Sequence, residues 1–153
     1  MENEFKRILV YTSIIKFCRS IHYGISLART FGAELTILHV VHNPFGLKGW
    51  NVPMMTLEEE YRKLLEEAKT DLDEIVANEK GAGLHIKKLI REGTPQEIIR
   101  KVIVEEKIDL LIACHSEESR LEHFIFCRSN DELIRQMPCS ILLVKNELPS
   151  VPW

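Results

Sequence analysis

Two short apolar runs, residues 109–114 (DLLIAC) and 140–145 (SILLVK), do most to limit what this chain can fold into. Neither alternates apolar with polar residues, so neither can turn one face to water. Strands of that kind belong in a parallel sheet covered by helices on both sides. Between them lie a polar loop, a capping box at Ser129-Asn130-Asp131-Glu132 that opens a helix, and the break Met137-Pro138-Cys139. In a capping box the hydroxyl and the carboxylate each satisfy an amide that the first helical turn leaves unpaired. Leu133, Ile134 and Met137 supply a buried face for that helix. The loop follows the carboxyl end of a strand, where open α/β sheets bind ligands. Residues 114–129 are therefore the first place to look for a function.

The rest of the chain repeats the alternation. Residues 6–11 form an apolar strand that Thr12 and Ser13 end. Residues 18–31 place Ile21, Ile25, Ala28 and Phe31 at helical spacing, and Gly32 follows as a C-terminal cap. Residues 34–41 are a second strand, long enough after the first for the right-handed crossover that parallel strands require. Thr56-Leu57-Glu58-Glu59 is a second capping box. It predicts a helix whose buried stripe holds Leu57, Tyr61, Leu64, Leu65, Ala68, Leu72, Ile75 and Val76, stopping near Gly81. Residues 84–91 alternate partly and read as an edge or near-edge strand. Thr94-Pro95-Gln96-Glu97 is a third capping box, with proline where its missing N–H costs nothing. Ile98, Ile99, Val102 and Ile103 are the buried face of the helix it opens. Five strands and four helices in strict alternation make a three-layer, doubly wound α/β domain.

Composition excludes several classes. At 153 residues the chain suits one domain. Lys and Arg number 20 against 23 Asp and Glu, and no basic stripe appears, which argues against nucleic acid as a partner. No run approaches the ~18 apolar residues of a membrane helix. The acidic, polar start lacks the basic and apolar regions of a signal peptide, so the expected location is the cytoplasm. Cys18, Cys114, Cys127 and Cys139 include no CxxC pair and are expected to be buried thiols.

The order and spacing of several segments resemble the universal stress protein family. They are residues 6–10 before a turn, the run 28–35 (ARTFGAEL), and Leu38-His39-Val40-Val41. Glu92-Gly93-Thr94-Pro95 before an isoleucine- and valine-rich helix, residues 107–112, and residues 137–144 (MPCSILLV) complete the match. The resemblance spans nearly the whole chain, giving a domain over 1–147 and a tail over 148–153. It implies an adenine nucleotide alpha hydrolase-like fold, a sheet of order 3-2-1-4-5 and a homodimer built by the last strand. Many members of the family bind ATP through the pattern G-x2-G-x9-G-[ST] after the fourth strand. Such glycines let backbone amides approach phosphates. Here Cys114, Glu117 and Cys127 stand at the glycine positions and Arg128 at the hydroxyl position. Ser13 stands where the family has an aspartate near the nucleotide, and Val41 keeps the residue type whose backbone contacts adenine. The resemblance is therefore to stress proteins without the nucleotide motif. It predicts a protein with no cofactor, acting through protein contacts. The competing reading is an ATP or AMP binder that uses a crevice formed by Thr12, Ser13, Val41, Cys114, Arg128 and Ser129.

Other chemistries have weaker support. Cys114, His115, His123 and Cys127 bring two thiols and two imidazoles into one loop, but their spacing matches no zinc-finger pattern. No metal site is expected. Neither an HxGH nor an SGGxDS signature occurs, and no nucleophile has a base at a telling distance in sequence, so no catalytic residue is assigned. His39, just before the crevice, fits either the core or the pocket. The apolar loop over residues 42–55 reads most simply as folding back over the sheet, and otherwise as a lid or a partner surface. Ile141, Leu142, Leu143 and Val144 would lie on an outermost strand, and an apolar edge invites pairing with a second copy.

Overall fold

A computed structural model describes residues 5–12, 19–41, 54–79, 83–115 and 137–145. Its elements are β1 (Arg7–Thr12), α1 (Arg19–Phe31), β2 (Glu34–Val41), α2 (Met54–Glu79), β3 (Ile86–Glu92), α3 (Pro95–Glu105), β4 (Leu110–His115) and β5 (Ser140–Lys145). The five strands form one parallel sheet of order β3-β2-β1-β4-β5. That is the expected doubly wound order. Three helices are described; the fourth, expected after Ser129, lies outside the described residues, as does the tail over 148–153.

Strand alternation divides the core into two layers. Ile8 and Val10 of β1, with Leu35 and Ile37 of β2, pack against Ile21, Ile25 and Ala28 of α1 and Ala68 and Leu72 of α2. Leu9 and Tyr11, with Leu38 and Val40, pack on the opposite face against Ile99, Val102 and Ile103 of α3. β1 lies at the centre with β4 beside it, and Ile8, Leu9, Val10, Leu111 and Ile112 are wholly buried. This is the burial on both faces that their unbroken apolar runs predict.

Local chemistry explains most boundaries. Gly32 ends α1 at φ +64°, a conformation that costs glycine nothing, and the Ala33 amide closes the turn onto the Ala28 carbonyl at 2.9 Å. Gly24 has a different use. A Cβ there would lie 2.3 Å from Val10 Cγ2, so its bare Cα lets α1 seat directly on β1. Thr94 is the N-cap of α3 by backbone conformation, and Pro95 opens the helix as expected, but the threonine side chain makes no capping bond. α2 begins at Met54, earlier than its capping box predicts, so Thr56 sits inside the first turn. Its buried stripe is also shorter than expected. Ala68, Leu72 and Val76 are buried, whereas Leu64 is 52% exposed. The 26-residue helix is roughly 39 Å long and the seven-residue β3 beneath it roughly 23 Å, so the helix has more apolar stripe than sheet to cover. None of the helices among the described residues is long and apolar enough to cross a membrane.

The two ends of the sheet differ. At the amino edge Asp109, immediately before β4, accepts the amides of Lys6 at 2.9 Å and Arg7 at 3.1 Å through its carboxylate. Its own amide donates to the Arg7 carbonyl at 3.0 Å. β1 and β4 are thus pinned together where they start.

Candidate functional site: the carboxyl edge of the sheet

At the other end the same two strands part. The ladder between β1 and β4 runs from Ile8↔Leu110 to Val10↔Ile112, yet β1 continues to Thr12 and β4 to His115. The outer pairings continue, from β1 to β2 as far as Thr12↔His39 and from β4 to β5 as far as His115↔Lys145. The sheet therefore opens between β1 and β4. α1 and α2 cover one face and α3 the other, so this is the topological switch point of the fold.

The residues expected at the crevice divide into three groups. Thr12 ends β1 and is 2% exposed, and its Oγ1 has no hydrogen-bond partner among the described residues. A buried hydroxyl left unpaired costs about 1–3 kcal/mol, so this atom would gain from any polar group brought to it. Val41 is also buried, and its carbonyl accepts the Gly93 amide at 3.3 Å. Part of the backbone that the resemblance offers to adenine thus already bonds within the chain. The backbone of Cys114 lies within β4, paired with Val144. That first glycine position belongs to the sheet ladder here. Ser13, Arg128 and Ser129 lie outside the described residues.

Three further contacts organise this edge. The Ser20 hydroxyl, fully buried at the start of α1, donates to the Tyr11 carbonyl at 3.5 Å and ties the helix to the end of β1. His39 Nδ1 lies 3.0 Å from the Thr12 carbonyl. Burial holds the pKa of His39 below the ordinary 6.5, against the opposing pulls of the Thr12 carbonyl and the Asp71 carboxylate. The open question about this histidine thus resolves as half-buried, with its ring tied to β1. Tyr61 of α2 donates its hydroxyl to the Glu92 carboxylate at the end of β3. That bond, followed by burial, pushes the phenol up to about 12. Sequence reasoning missed the Tyr61–Glu92 contact, because nothing in local spacing sets a helix residue opposite a strand end 31 positions away.

The cysteine–histidine cluster is not decided by these residues. No group of three or more metal-ligating side chains occurs among the described residues, and those of Cys114, His115, His123 and Cys127 are not among them. Cys139 is a free, half-buried thiol whose pKa rises to about 11, chiefly through burial, which suits a packing role. Two cavities are lined elsewhere by described residues. One of about 340 Å³ lies at the amino edge beneath the end of α3 and is spanned by the Lys87–Glu106 pair at 2.6 Å. The other, about 290 Å³, lies between β3 and α3. Neither is lined by a crevice residue, and the first has the Lys87–Glu106 ion pair in its wall.

The architecture and sequence both have close counterparts. A universal stress protein of Methanocaldococcus jannaschii is 24% identical over 156 residues, covering 94% of this chain and 96% of its own. The crystal structure of a universal stress protein family member from Burkholderia pseudomallei superposes with a TM-score of 0.67 at 17% identity, covering 92% of this chain and 96% of that one. An Arabidopsis thaliana member with AMP bound superposes with a TM-score of 0.58 at 13% identity, over 96% and 95% of the two chains. The family model of the universal stress proteins itself matches residues 4–145, through every strand and helix described above, and the chain belongs to the universal stress protein family.

Proposed function

We propose that this protein is a non-catalytic, cytoplasmic stress-response protein that acts as a homodimer through protein contacts, holding no cofactor and binding ATP weakly if at all. The supporting observation is the contrast between the two edges of the sheet. β3, at one edge, reads IKKLIRE, with Lys87, Lys88, Arg91 and Glu92 along it. Charges on an edge strand discourage further pairing. β5, at the other, reads SILLVK, and Leu142 at its centre is 36% exposed. Two β5 strands related by a twofold axis would pair antiparallel through Ile141, Leu142, Leu143 and Val144 and would remove from water Leu142 and what remains accessible of Ile141 and Leu143.

The experiment is native mass spectrometry of the wild type and of Leu142→Lys, with and without added Mg-ATP or AMP. The wild type is expected at twice the chain mass and the variant at the chain mass, neither carrying an adduct. A wild-type monomer, or a dimer indifferent to Leu142→Lys, would reject the interface.

A second reading has its own support in the unpartnered Thr12 hydroxyl at the mouth of an open sheet. The Arabidopsis relative has AMP bound. A nucleotide adduct in the same spectra would favour this reading. It would also mean that phosphate is held without the glycines, because Cys114 stands within the ladder.

A further inference from the structure

Four large hydrophobic side chains stand exposed among the described residues, namely Tyr23, Leu64, Val104 and Leu142. Two of them converge. Val10, Ile112 and Leu142 lie in one transverse row of the sheet, through the pairings Val10↔Ile112 and Ile112↔Leu142. Leu142 shares its face with Val144, which packs in the α1 layer, because strand residues two apart point the same way. Gly24 of α1 seats directly on Val10, so Tyr23 stands level with that row. The chain passes through α1 to β2 by a right-handed crossover. With Gly24 on the sheet, the helix flank that carries Tyr23 and Leu27 therefore turns away from β2, toward β4 and β5, and α1 touches both of those strands. Leu27, one turn on, is partly buried against this layer. Tyr23 and Leu142 thus border one uncovered strip on the β5 side of α1.

The backbone of β5 dictates how a second copy meets this strip. The Ser140 amide donates to the Asp109 carbonyl at 3.3 Å. Ser140, Leu142 and Val144 therefore turn their amides and carbonyls toward β4, and Ile141, Leu143 and Lys145 turn theirs to the open edge. Antiparallel pairing that uses all three sets the twofold axis at Leu143 and puts Leu142 beside the second copy's Val144 on the α1 side. Strand pairing by itself is too small to hold two copies. A six-residue edge is ~20 Å long and ~10 Å deep, roughly 200 Å² per copy, against the ~800 Å² per partner of a stable interface. The contact must spread onto the layers that flank the strands. Strand spacings of ~4.8 Å set α1 about 12 Å from the twofold axis, and the helix with its tyrosine spans most of that gap.

We propose that the surface that receives a second copy includes α1: Tyr23 and Leu27 of each copy close over the joined β5 strands and cover Leu142 on that side. The inference rests on the homodimer reading and adds to it the residues of the flanking layer. It gives Tyr23 a use that its place on the outside of a helix does not. An aromatic ring beside a twofold axis, over a leucine that the sheet leaves bare, is the kind of anchor that carries much of an interface's energy.

Sedimentation equilibrium over a dilution series tests this. Tyr23→Ala should weaken the dimer about tenfold or more, and Tyr23→Glu should leave monomer at concentrations where the wild type is dimeric. Leu64→Ala removes an equally exposed side chain from α2, on the far side of the same layer, and should change nothing. Tyr23→Ala combined with Leu142→Ala should weaken the dimer by clearly less than the product of the two single effects, because each removes the other's partner. A monomeric wild type would overturn both the homodimer reading and this inference. A dimer that Leu142→Lys dissociates and Tyr23→Glu does not would overturn the part given to α1 and leave the β5 pairing standing. If the variants do not fold, the wild type decides. In a dimer of one isotope-labelled and one unlabelled copy, magnetisation transfer between copies should join the Tyr23 ring to the Leu142 or Val144 methyl groups, and its absence would reject the contact.

Discussion

Gly24 shows how much one missing carbon can set. The Cβ of an alanine there would meet Val10 Cγ2 at 2.3 Å and Leu35 Cδ1 at 3.3 Å. Val10 is fully buried and β-branched, so it has no free rotamer into which to retreat. Gly24→Ala gains a little helix propensity but overpacks the α1–β1 contact, and should destabilise the fold by about 1–3 kcal/mol. Urea unfolding measures this. The added mutation Val10→Ala should recover part of the loss in Gly24→Ala, a coupling that two independent defects would not show. None of this was legible in the sequence. Gly24 lies in a helix where glycine is unfavourable, and only the distance to β1 explains it. His39 was half legible. Its place before the end of β2 was plain, but the partner carbonyl lies 27 residues earlier on another strand.

Among the elements, α3 separates what a capping motif states from what it does. Its sequence box is complete, and Pro95 begins the helix, yet Thr94 makes no side-chain capping bond. Thr94→Ala should therefore cost only a few tenths of a kcal/mol, against about 1 kcal/mol for a working N-cap threonine. A change in midpoint near the larger value in thermal or urea unfolding would show that the hydroxyl caps the helix in solution. The strands were read almost residue for residue, because burial on two faces leaves an apolar run that few other structures tolerate. β2 and β5 keep the boundaries read from sequence, and β1, β3 and β4 shift by a residue or two. α2 was read less well. Its apolar spacing continues past the sheet it covers, and spacing alone carries no information about how far a neighbouring element extends. Leu64 is the residue misplaced as a result.

For the whole molecule, the sheet order was available before any coordinate, since it followed from the resemblance, and the crevice followed from the order. The resemblance also named Thr12 and Val41 at the crevice, but it did not show that His39 is set opposite Thr12, because that contact arises only through the pairing of two distant strands. If the protein pairs through β5, its stability is tied to its concentration. Over a hundredfold range of concentration the melting temperature should rise by several degrees, and for Leu142→Lys it should stay constant. A flat wild-type curve would indicate that folding and association are separate. The two unequal edges of the sheet also govern how far association can proceed. A sheet that is adhesive along both margins adds copies without limit and grows into a fibril. This one carries an apolar strand along a single margin and is guarded by lysines and an arginine along the other. Were a second copy to cover β5, growth would terminate there, so under the proposed pairing the same apolar strand that permits assembly would also fix its size at two.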